Sequence, residues 1–250
     1  MQKIYIACIG KTAIIVYEAE PSYTQLEDIV IQQLTYPRHM VACNIHKCLY
    51  VSDRLINCVF RVDINNLKID NFIEKLSGGS YLSMMEKGNL LVMNESSLGI
   101  YTPDGNRCQT INLPAELFEP HVAIATDHQT FLISHGESCD LQRICEITPK
   151  GEVIRVYGSN DGSGKGQLDC PVYMSLDNEG RVIVLDALNL RCLLLDSKLR
   201  LLRVLVSRSD GIDSTLRMSY VKETGNLLIG TLMTVANSCV DIYSIRNVCK

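Results

Sequence analysis

The chain of 250 residues lacks several features that would each point to a particular class of protein. It has no apolar run near the ~18 residues that a membrane helix needs. Its start makes a poor signal peptide, because Lys11 ends a short apolar stretch. It has no large excess of one charge, since 24 Lys and Arg stand against 28 Asp and Glu. That balance excludes a nucleic-acid-binding arm or an acidic tail as a property of the whole chain.

The sequence also lacks any Cys-x-x-Cys pair, although it contains eleven cysteines. Most of them lie in apolar, strand-like runs such as those around Cys58, Cys145 and Cys192. Buried free thiols behave as small hydrophobic side chains, so a reducing compartment is the simpler explanation and disulfide scaffolding is the weaker one. We therefore expect a cytoplasmic protein that makes no membrane contact.

Repetition organises what is present. A short apolar strand that ends in a polar residue recurs at 48–53, 89–94, 130–135, 181–186 and 226–231, at spacings of 41 to 51 residues. A weaker copy at 3–8 lies 45 residues before the first of these and makes six copies in all. A further apolar strand follows each copy at a similar distance, and Asn, Asp, Gly and Ser residues form the connections. A unit of four strands repeated at this spacing is the sequence signature of a β-propeller.

We therefore predict an all-β fold, a six-bladed β-propeller of four-stranded repeats, with residues 1–250 forming a single domain. The predicted blades are approximately 1–36, 37–79, 80–119, 120–170, 171–214 and 215–250. A β-sandwich with coincidental spacing is the alternative, but a sandwich need not repeat its strand pattern. The first copy lacks a clear innermost strand and the last stops after its third. Either the N-terminal strands complete the last blade, or the chain is a piece of a longer propeller.

The block 164–196 resembles the NHL repeat more specifically. That repeat has a glycine-rich lead, Gly-Gln-Phe and Pro, a strand with Asp, a Gly turn, a strand ending in Asp, Asn-x-Arg, and a strand ending in Asp. The matching positions here are Gly166, Gln167, Leu168, Pro171, Asp177, Gly180, Asp186, Asn189, Arg191 and Asp196. Leu34 with Pro37, and Leu117 with Pro120, keep only the lead of the pattern.

The resemblance implies a non-catalytic interaction scaffold that binds protein or single-stranded RNA on one propeller face. The chain is similar to the C-terminal propellers of tripartite-motif proteins. This similarity implies that the chain is the substrate-recognition part of a ubiquitin-ligase system. The chain contains no RING, B-box or coiled-coil pattern, so any ligase activity would need a RING from elsewhere. The alternative that the resemblance leaves open is a metal-dependent propeller enzyme of the gluconolactonase or peptidyl-hydroxyglycine lyase type.

Two motifs suggest a cofactor and fail on inspection. The glycine-rich stretch 162–166 is not a phosphate-binding loop, because Lys165 is not followed by Ser or Thr and no helix pattern follows. The densest set of soft metal ligands is His39, Cys43, His46 and Cys48. Neighbouring positions of a strand point to opposite faces, so these four side chains do not all converge. We predict no metal site and no cofactor.

Two sets of residues are candidates for function. Asp53, Asn94, His135 and Asp186 end equivalent strands, and by repeat symmetry they would surround one end of the propeller channel. The favoured alternative is that such residues cap the turn that follows them. The second set is Lys198, Arg200, Arg203 and Arg208, in a basic stretch at 181–222, which would contact RNA phosphates. That stretch has almost no aromatic residues for base stacking, so a solvated basic face is its alternative.

Overall fold

The structure is a computed structural model that describes residues 3–7, 12–18, 24–76, 80–136, 141–159, 162–212, 217–234 and 237–244. Six antiparallel sheets contain all of the described strands. The first sheet contains β1 (Lys3–Ala7), β2 (Ala13–Glu18) and β3 (Ile29–Val30). The second contains β4 (Pro37–Cys43), β5 (Cys48–Asp53), β6 (Cys58–Asp63) and β7 (Ile69–Ile73). The third contains β8 (Tyr81–Met84), β9 (Leu90–Met93), β10 (Ser97–Tyr101) and β11 (Arg107–Asn112).

The last three sheets follow the same order along the chain. The fourth sheet contains β12 (Pro120–Ala125), β13 (Phe131–His135), β14 (Arg143–Ile147) and β15 (Val153–Tyr157). The fifth contains β16 (Pro171–Leu176), β17 (Val182–Asp186), β18 (Arg191–Leu195) and β19 (Leu201–Val206). The sixth contains β20 (Arg217–Val221), β21 (Asn226–Thr234) and β22 (Asn237–Ser244). One turn of 3-10 helix, Arg208–Asp210, follows β19. Among the described residues no helix is long and apolar enough to cross a membrane.

Four of the six sheets have the predicted four strands, and the first and last have three within the described residues. The four-stranded repeat is therefore seen in the four central sheets, and no fourth strand of the first or last sheet lies among the described residues. In the first sheet β3 pairs over only two residues, because polar Asp28 and Gln32 bound a run of three apolar residues. Sequence periodicity marks the spacing of the repeats, but it does not guarantee that each faded copy has enough apolar residues for four strands.

Burial differs between inner and outer strands, most clearly in the third, fourth and fifth sheets. The second strands β5, β9, β13 and β17 are buried at every position, whereas the outermost strands β11, β15 and β19 each leave several residues exposed. A strand covered on both faces needs apolar residues at consecutive positions rather than alternate ones. This requirement accounts for the nearly continuous apolar runs that repeat along the sequence.

Contacts group the chain into two compact units, residues 1–110 and 111–250, with the division inside β11. In the first unit, one face of the second sheet packs Leu49, Val51 and Phe60 against the first sheet, in a core that includes Ile14 and Ile29. Its other face packs against the third sheet through a second apolar core. In the second unit the innermost strands β12, β16 and β20 contact one another in order. One domain over residues 1–250 stays a prediction.

The innermost strands of three sheets begin with the same irregularity. Pro37, Pro120 and Pro171 open β4, β12 and β16, and the pairing register shifts immediately after each proline. A proline donates no backbone hydrogen bond, so it is tolerated where a strand starts or bulges. The residues paired with these prolines are the strand ends Asp53, His135 and Asp186. The repeat therefore places its polar strand ends beside the segment that enters each sheet.

Candidate functional site

Asp53 is a buried acceptor that joins two backbone segments. The backbone N–H groups of Thr35 and Tyr36 donate to its Oδ2 at 2.6 and 2.7 Å, and the Thr35 hydroxyl donates to Oδ1 at 2.9 Å. The N–H groups of Leu55 and Ile56 also donate to Oδ1, at 3.0 and 3.3 Å. We call this set the Asp53 clamp. It holds the segment that enters β4 against the turn that follows β5.

Asp186 occupies the equivalent position with different partners. The Asp169 N–H donates to its Oδ1 at 2.6 Å, while Asn189 Nδ2 and Arg191 Nε donate to Oδ2 at 2.9 and 2.6 Å. The Arg191 side chain also donates to the Gln167 carbonyl at 2.9 Å. We call this set the Asp186 clamp. It contains a buried ion pair, because Asp186 is fully buried and the Arg191 side chain is only 16% exposed.

Hydrogen bonds connect several residues of the NHL-like block 164–196 to the Asp186 clamp. Asn189 Nδ2 also donates to the Gly162 carbonyl at 2.7 Å, and the Gly164 N–H donates to Gln167 Oε1 at 2.9 Å. The glycine-rich lead, the Gln, the strand-end Asp and the Asn-x-Arg segment thus form one hydrogen-bonded network. The motif residues of this block serve to fold the connection before β16.

The two aspartates respond differently to burial. Burial opposes ionisation of Asp53, but hydrogen bonds from Thr35, Tyr36 and Ile56 outweigh it and hold the pKa of Asp53 below its ordinary value. Burial is stronger at Asp186 and raises its pKa despite donors from Asp169, Asn189 and Arg191. Both carboxylates have their oxygens engaged by the protein's own donors. Asp53 caps the backbone of the turn that follows it, whereas Asp186 accepts from the side chains of Asn189 and Arg191 and from the preceding segment.

Asn94 and His135, the other two strand ends, also make internal contacts. Asn94 Oδ1 accepts a hydrogen bond from the Ser80 hydroxyl at 2.8 Å. His135 Nε2 lies 3.4 Å from Cys145 Sγ. Burial, with the charge of Arg143, lowers the pKa of His135 to about 4, and burial raises that of Cys145 to about 11. Both groups are therefore uncharged at neutral pH, which gives no activated cysteine nucleophile.

The four predicted channel-end residues are thus divided between the two units, Asp53 and Asn94 in the first and His135 and Asp186 in the second. Within the described ranges no group of three or more His, Cys, Asp or Glu residues is arranged to hold a metal ion. In the soft-ligand set, Cys43 and Cys48 face one another across β4 and β5, and the His39 ring lies edge-on to the Tyr81 ring.

The basic candidates are spread along the outermost strand of the fifth sheet. Lys198 and Arg200 precede β19, Arg203 lies half-buried on it, and Arg208 follows it. Six strand residues separate the two ends by about 20 Å. Arg200 forms an ion pair with Asp196 at 2.6 Å, which neutralises one of the four charges. The structure does not gather these side chains into one compact basic site.

An open groove lies in the first unit, beside the Asp53 clamp, with a volume of about 710 Å³. We call it the β5–β6 groove. Its apolar lining is Ile56, Cys58, Phe60 and Leu76, and its polar lining is Gln33, Asn57, Asn71, Glu74 and Lys75. Burial raises the pKa of Cys58 to about 11, with a further contribution from Asp53 and Glu74, so this thiol stays protonated. The groove therefore combines an apolar floor with amide side chains and one charge of each sign.

Exposed leucines follow both clamps, and the sequence reasoning missed them. Leu55 and Leu188 are each 67% exposed, and each lies two residues after the strand-end aspartate of its own unit. The shared pattern Asp-x-Leu at 53–55 and 186–188 was the available signal. A single exposed apolar side chain is common at a protein surface, so these leucines are candidates for partner contact only through their shared position after the two clamps.

Known proteins resemble this chain in fold alone. The sequence matches no protein-family model, and no curated protein matches it. A protein of unknown function from Bacteroides caccae is 12% identical and aligns over 91% of this chain and 82% of its own, with a TM-score of 0.71. A chain of the nidogen/laminin complex is 14% identical over 96% and 92%, with a TM-score of 0.70.

Virginiamycin B lyase from Staphylococcus aureus is 12% identical over 98% of this chain and 81% of its own, with a TM-score of 0.63. These neighbours, together with the successive antiparallel sheets, establish that the chain is an all-β propeller. The finer resemblance to NHL repeats has no matching family model behind it.

Proposed function

We propose that the chain is a non-catalytic scaffold that binds a short segment of a partner protein in the β5–β6 groove. The observation that supports this most is the chemistry of the groove lining. Ile56, Phe60 and Leu76 offer an apolar floor for one side chain of a bound segment. Amide side chains of the rim both donate and accept hydrogen bonds, as a peptide backbone requires of its partner.

Charge favours protein over RNA as the bound molecule. Glu74 and Lys75 give the groove one acid and one base, so it offers no net positive charge to a phosphate backbone. The basic candidates outside the groove are separated along β19, and Arg200 is already paired with Asp196. Single-stranded RNA recognition by stacking also needs exposed aromatic side chains, which the basic stretch almost lacks.

The side chains favour binding over metal-dependent catalysis. Asp53 and Asp186 accept hydrogen bonds on both carboxylate oxygens, so neither presents a free carboxylate for a cation. The similar folds include both a lyase and a member of a protein complex, so the fold alone does not discriminate.

The proposal extends to family and setting. The network built around Asp186, Asn189 and Arg191 supports an NHL-like repeat, and we propose that the six sheets act as six blades of such a propeller. The seven described free cysteines support a reducing, cytoplasmic setting. Substrate recognition for a RING-containing ligase is the corresponding proposed role.

Selection from a displayed random peptide library tests the binding proposal. We expect selected peptides to bind the wild-type protein and to lose at least tenfold in affinity when Ile56, the most exposed apolar residue of the groove lining, is changed to Ser. Tenfold corresponds to about 1.4 kcal/mol, within the range for losing apolar contacts. The control is Leu67→Ser, because Leu67 is also exposed, at 51%, but lies in the turn between β6 and β7 at the other end of the same sheet.

Equal binding by the Ile56→Ser variant would exclude the groove as the site. A parallel measurement uses a random single-stranded RNA pool at low and physiological salt. Saturable, salt-sensitive RNA binding that is lost in an Arg200→Glu, Arg203→Glu variant would replace the peptide proposal with the RNA alternative. Calcium or zinc retained by the purified protein through dialysis would instead favour the enzyme alternative.

A further inference from the structure

Two of the described cysteines face one another across the β4–β5 hairpin. Cys43 is the last residue of β4 and Cys48 the first residue of β5, and the two are paired directly in the antiparallel register. Both side chains are buried, at 4% and 1% exposure. Residues 44–47 form the turn between them, and Ile45 at the tip of this turn is 58% exposed.

This register brings the pair within the geometry of a disulfide. Directly opposed residues of an antiparallel pair lie on the same face of the sheet, with Cα atoms about 4.5–5.5 Å apart. Disulfides span Cα separations of about 4.4–6.8 Å, so bridging this pair requires little movement of the backbone. The buried cysteines Cys58, Cys145 and Cys192 lack this arrangement, because the residues paired with them in these strand registers include no cysteine.

Two opposing effects act on the sulfur of Cys48. Arg61, which is paired with Tyr50 in the register of β5 and β6, brings a positive charge near the Cys48 side chain. A guanidinium beside a thiol stabilises the thiolate, which is the attacking form in sulfur chemistry. Burial opposes this effect and leaves the pKa of Cys48 above its ordinary value. Reaction at this site therefore depends on the proximity of the second thiol.

We propose that Cys43 and Cys48 are a redox modification site, forming a reversible cross-strand disulfide when the folded protein meets hydrogen peroxide. The thiolate of Cys48 attacks one peroxide oxygen, which leaves a sulfenic acid and releases the other oxygen as water after protonation. The Cys43 sulfur then displaces the sulfenic oxygen as a second water, forming the S–S bond and losing its proton. Two thiols and one peroxide thus give one disulfide and two waters, and a reducing dithiol reverses the reaction.

The chain offers a direct assay, because Lys47 lies between the two cysteines. Trypsin cleaves after Arg38, Lys47 and Arg54, so each cysteine is released in its own peptide, 39–47 or 48–54. Only a disulfide keeps these two peptides together. The reduced, folded protein is treated with hydrogen peroxide, free thiols are blocked with an alkylating reagent, and the digest is analysed by mass spectrometry. We expect the linked pair to appear while both free peptides are lost together, and a dithiol to restore them.

Three controls test the specificity of the bond. In the Cys48→Ser variant the 39–47 peptide should remain fully alkylated, whereas Cys192→Ser, which changes another buried thiol, should leave the link unchanged. The same oxidation in concentrated urea should also link these peptides to other cysteine peptides, although the short loop between Cys43 and Cys48 still favours their own pairing. If Cys48→Ser fails to fold, Cys48→Ala is the second variant, and the share of links to other cysteines should be lower in the folded wild-type protein than in urea. Free 39–47 and 48–54 peptides after oxidation of the folded protein, or preferential links to other cysteines, would overturn the proposal.

Discussion

The Asp53 and Asp186 clamps perform the same structural task with different chemistry. Each joins the segment that enters an innermost strand to the end of the following strand. Around Asp53 the donors are backbone N–H groups and one hydroxyl, all of them neutral. Around Asp186 one donor is the guanidinium of Arg191, at 2.6 Å.

This difference shows that the two clamps meet the same hydrogen-bonding requirement with different residues. A buried carboxylate needs donors, and either backbone or a cation supplies them. Removing the carboxylate of the Asp53 clamp leaves no unpaired charge, whereas removing that of the Asp186 clamp leaves the buried Arg191 without its partner. The two clamps should therefore differ in their sensitivity to mutation and to pH.

The largest effect is expected for Asp186→Ala. It leaves the Arg191 charge without its partner and removes the acceptor of Asn189 and of the Asp169 N–H. Breaking a buried ion pair on one side costs about 3–5 kcal/mol, so the free energy of unfolding in urea should fall by that amount. The Asp186→Ala, Arg191→Met double variant should recover part of the loss. A single-variant loss below about 1 kcal/mol would show that Arg191 is not dependent on Asp186.

A smaller loss is expected for Asp53→Ala. Buried N–H groups of Thr35 and Tyr36 lose their acceptor, which costs about 1–3 kcal/mol, but no buried cation is left unpaired. The same urea titration measures it. The comparison between the clamps fails if Asp53→Ala proves more destabilising than Asp186→Ala.

Stability should depend on pH with opposite signs at the two positions. Because the folded pKa of Asp53 is lowered, its stabilisation is complete above the unfolded value near pH 3.9 and is lost as the pH falls through the folded value. Because the folded pKa of Asp186 is raised, its contribution grows as the pH falls through the folded value towards about 3.9.

Unfolding free energies measured from pH 7 down to pH 3 test these signs against non-titrating variants. The advantage of the wild type over Asp53→Asn should shrink at the acid end of this range. Its advantage over Asp186→Asn should instead increase as the pH is lowered. Parallel curves for the two variants would contradict the difference in pKa between the clamps.

The smallest effect on the free energy of unfolding is expected for the exposed leucines that follow the two clamps. Leu55→Ser and Leu188→Ser alter side chains that are each 67% exposed, so each should change the unfolding free energy by less than about 0.5 kcal/mol. Thermal unfolding of both variants provides the measurement. A loss above about 2 kcal/mol for either leucine would assign it a role in packing and remove it as a candidate for partner contact.

The strand pattern was predictable because it depends on local periodicity. The runs that became β5, β13 and β17 are apolar at consecutive positions and end in a polar residue, and the structure buries them throughout. The first sheet was less predictable, since β3 pairs over only two residues. Turn capping was the favoured role for strand-end acids, and the hydrogen bonds of Asp53 agree with it. Its carboxylate accepts from the N–H groups of Leu55 and Ile56, which lie two and three residues further along the chain.

The β5–β6 groove was not predictable from the sequence, because its lining comes from separate segments. Gln33 precedes β4, Phe60 lies on β6 and Leu76 follows β7, and no spacing rule connects them. The basic candidates show the reverse relation between sequence and structure. Lys198, Arg200, Arg203 and Arg208 are close in sequence, but an extended strand separates them in space.

The sequence by itself determined the repeat, the all-β class and the alternation of apolar strands with polar turns, because these follow from the period of side chains along an extended backbone. Only the tertiary structure decided which donors satisfy each buried acid, how the groove is assembled, and that Cys43 faces Cys48. Those outcomes depend on strand register and on the packing of one sheet against the next, which bring together residues that local sequence keeps apart.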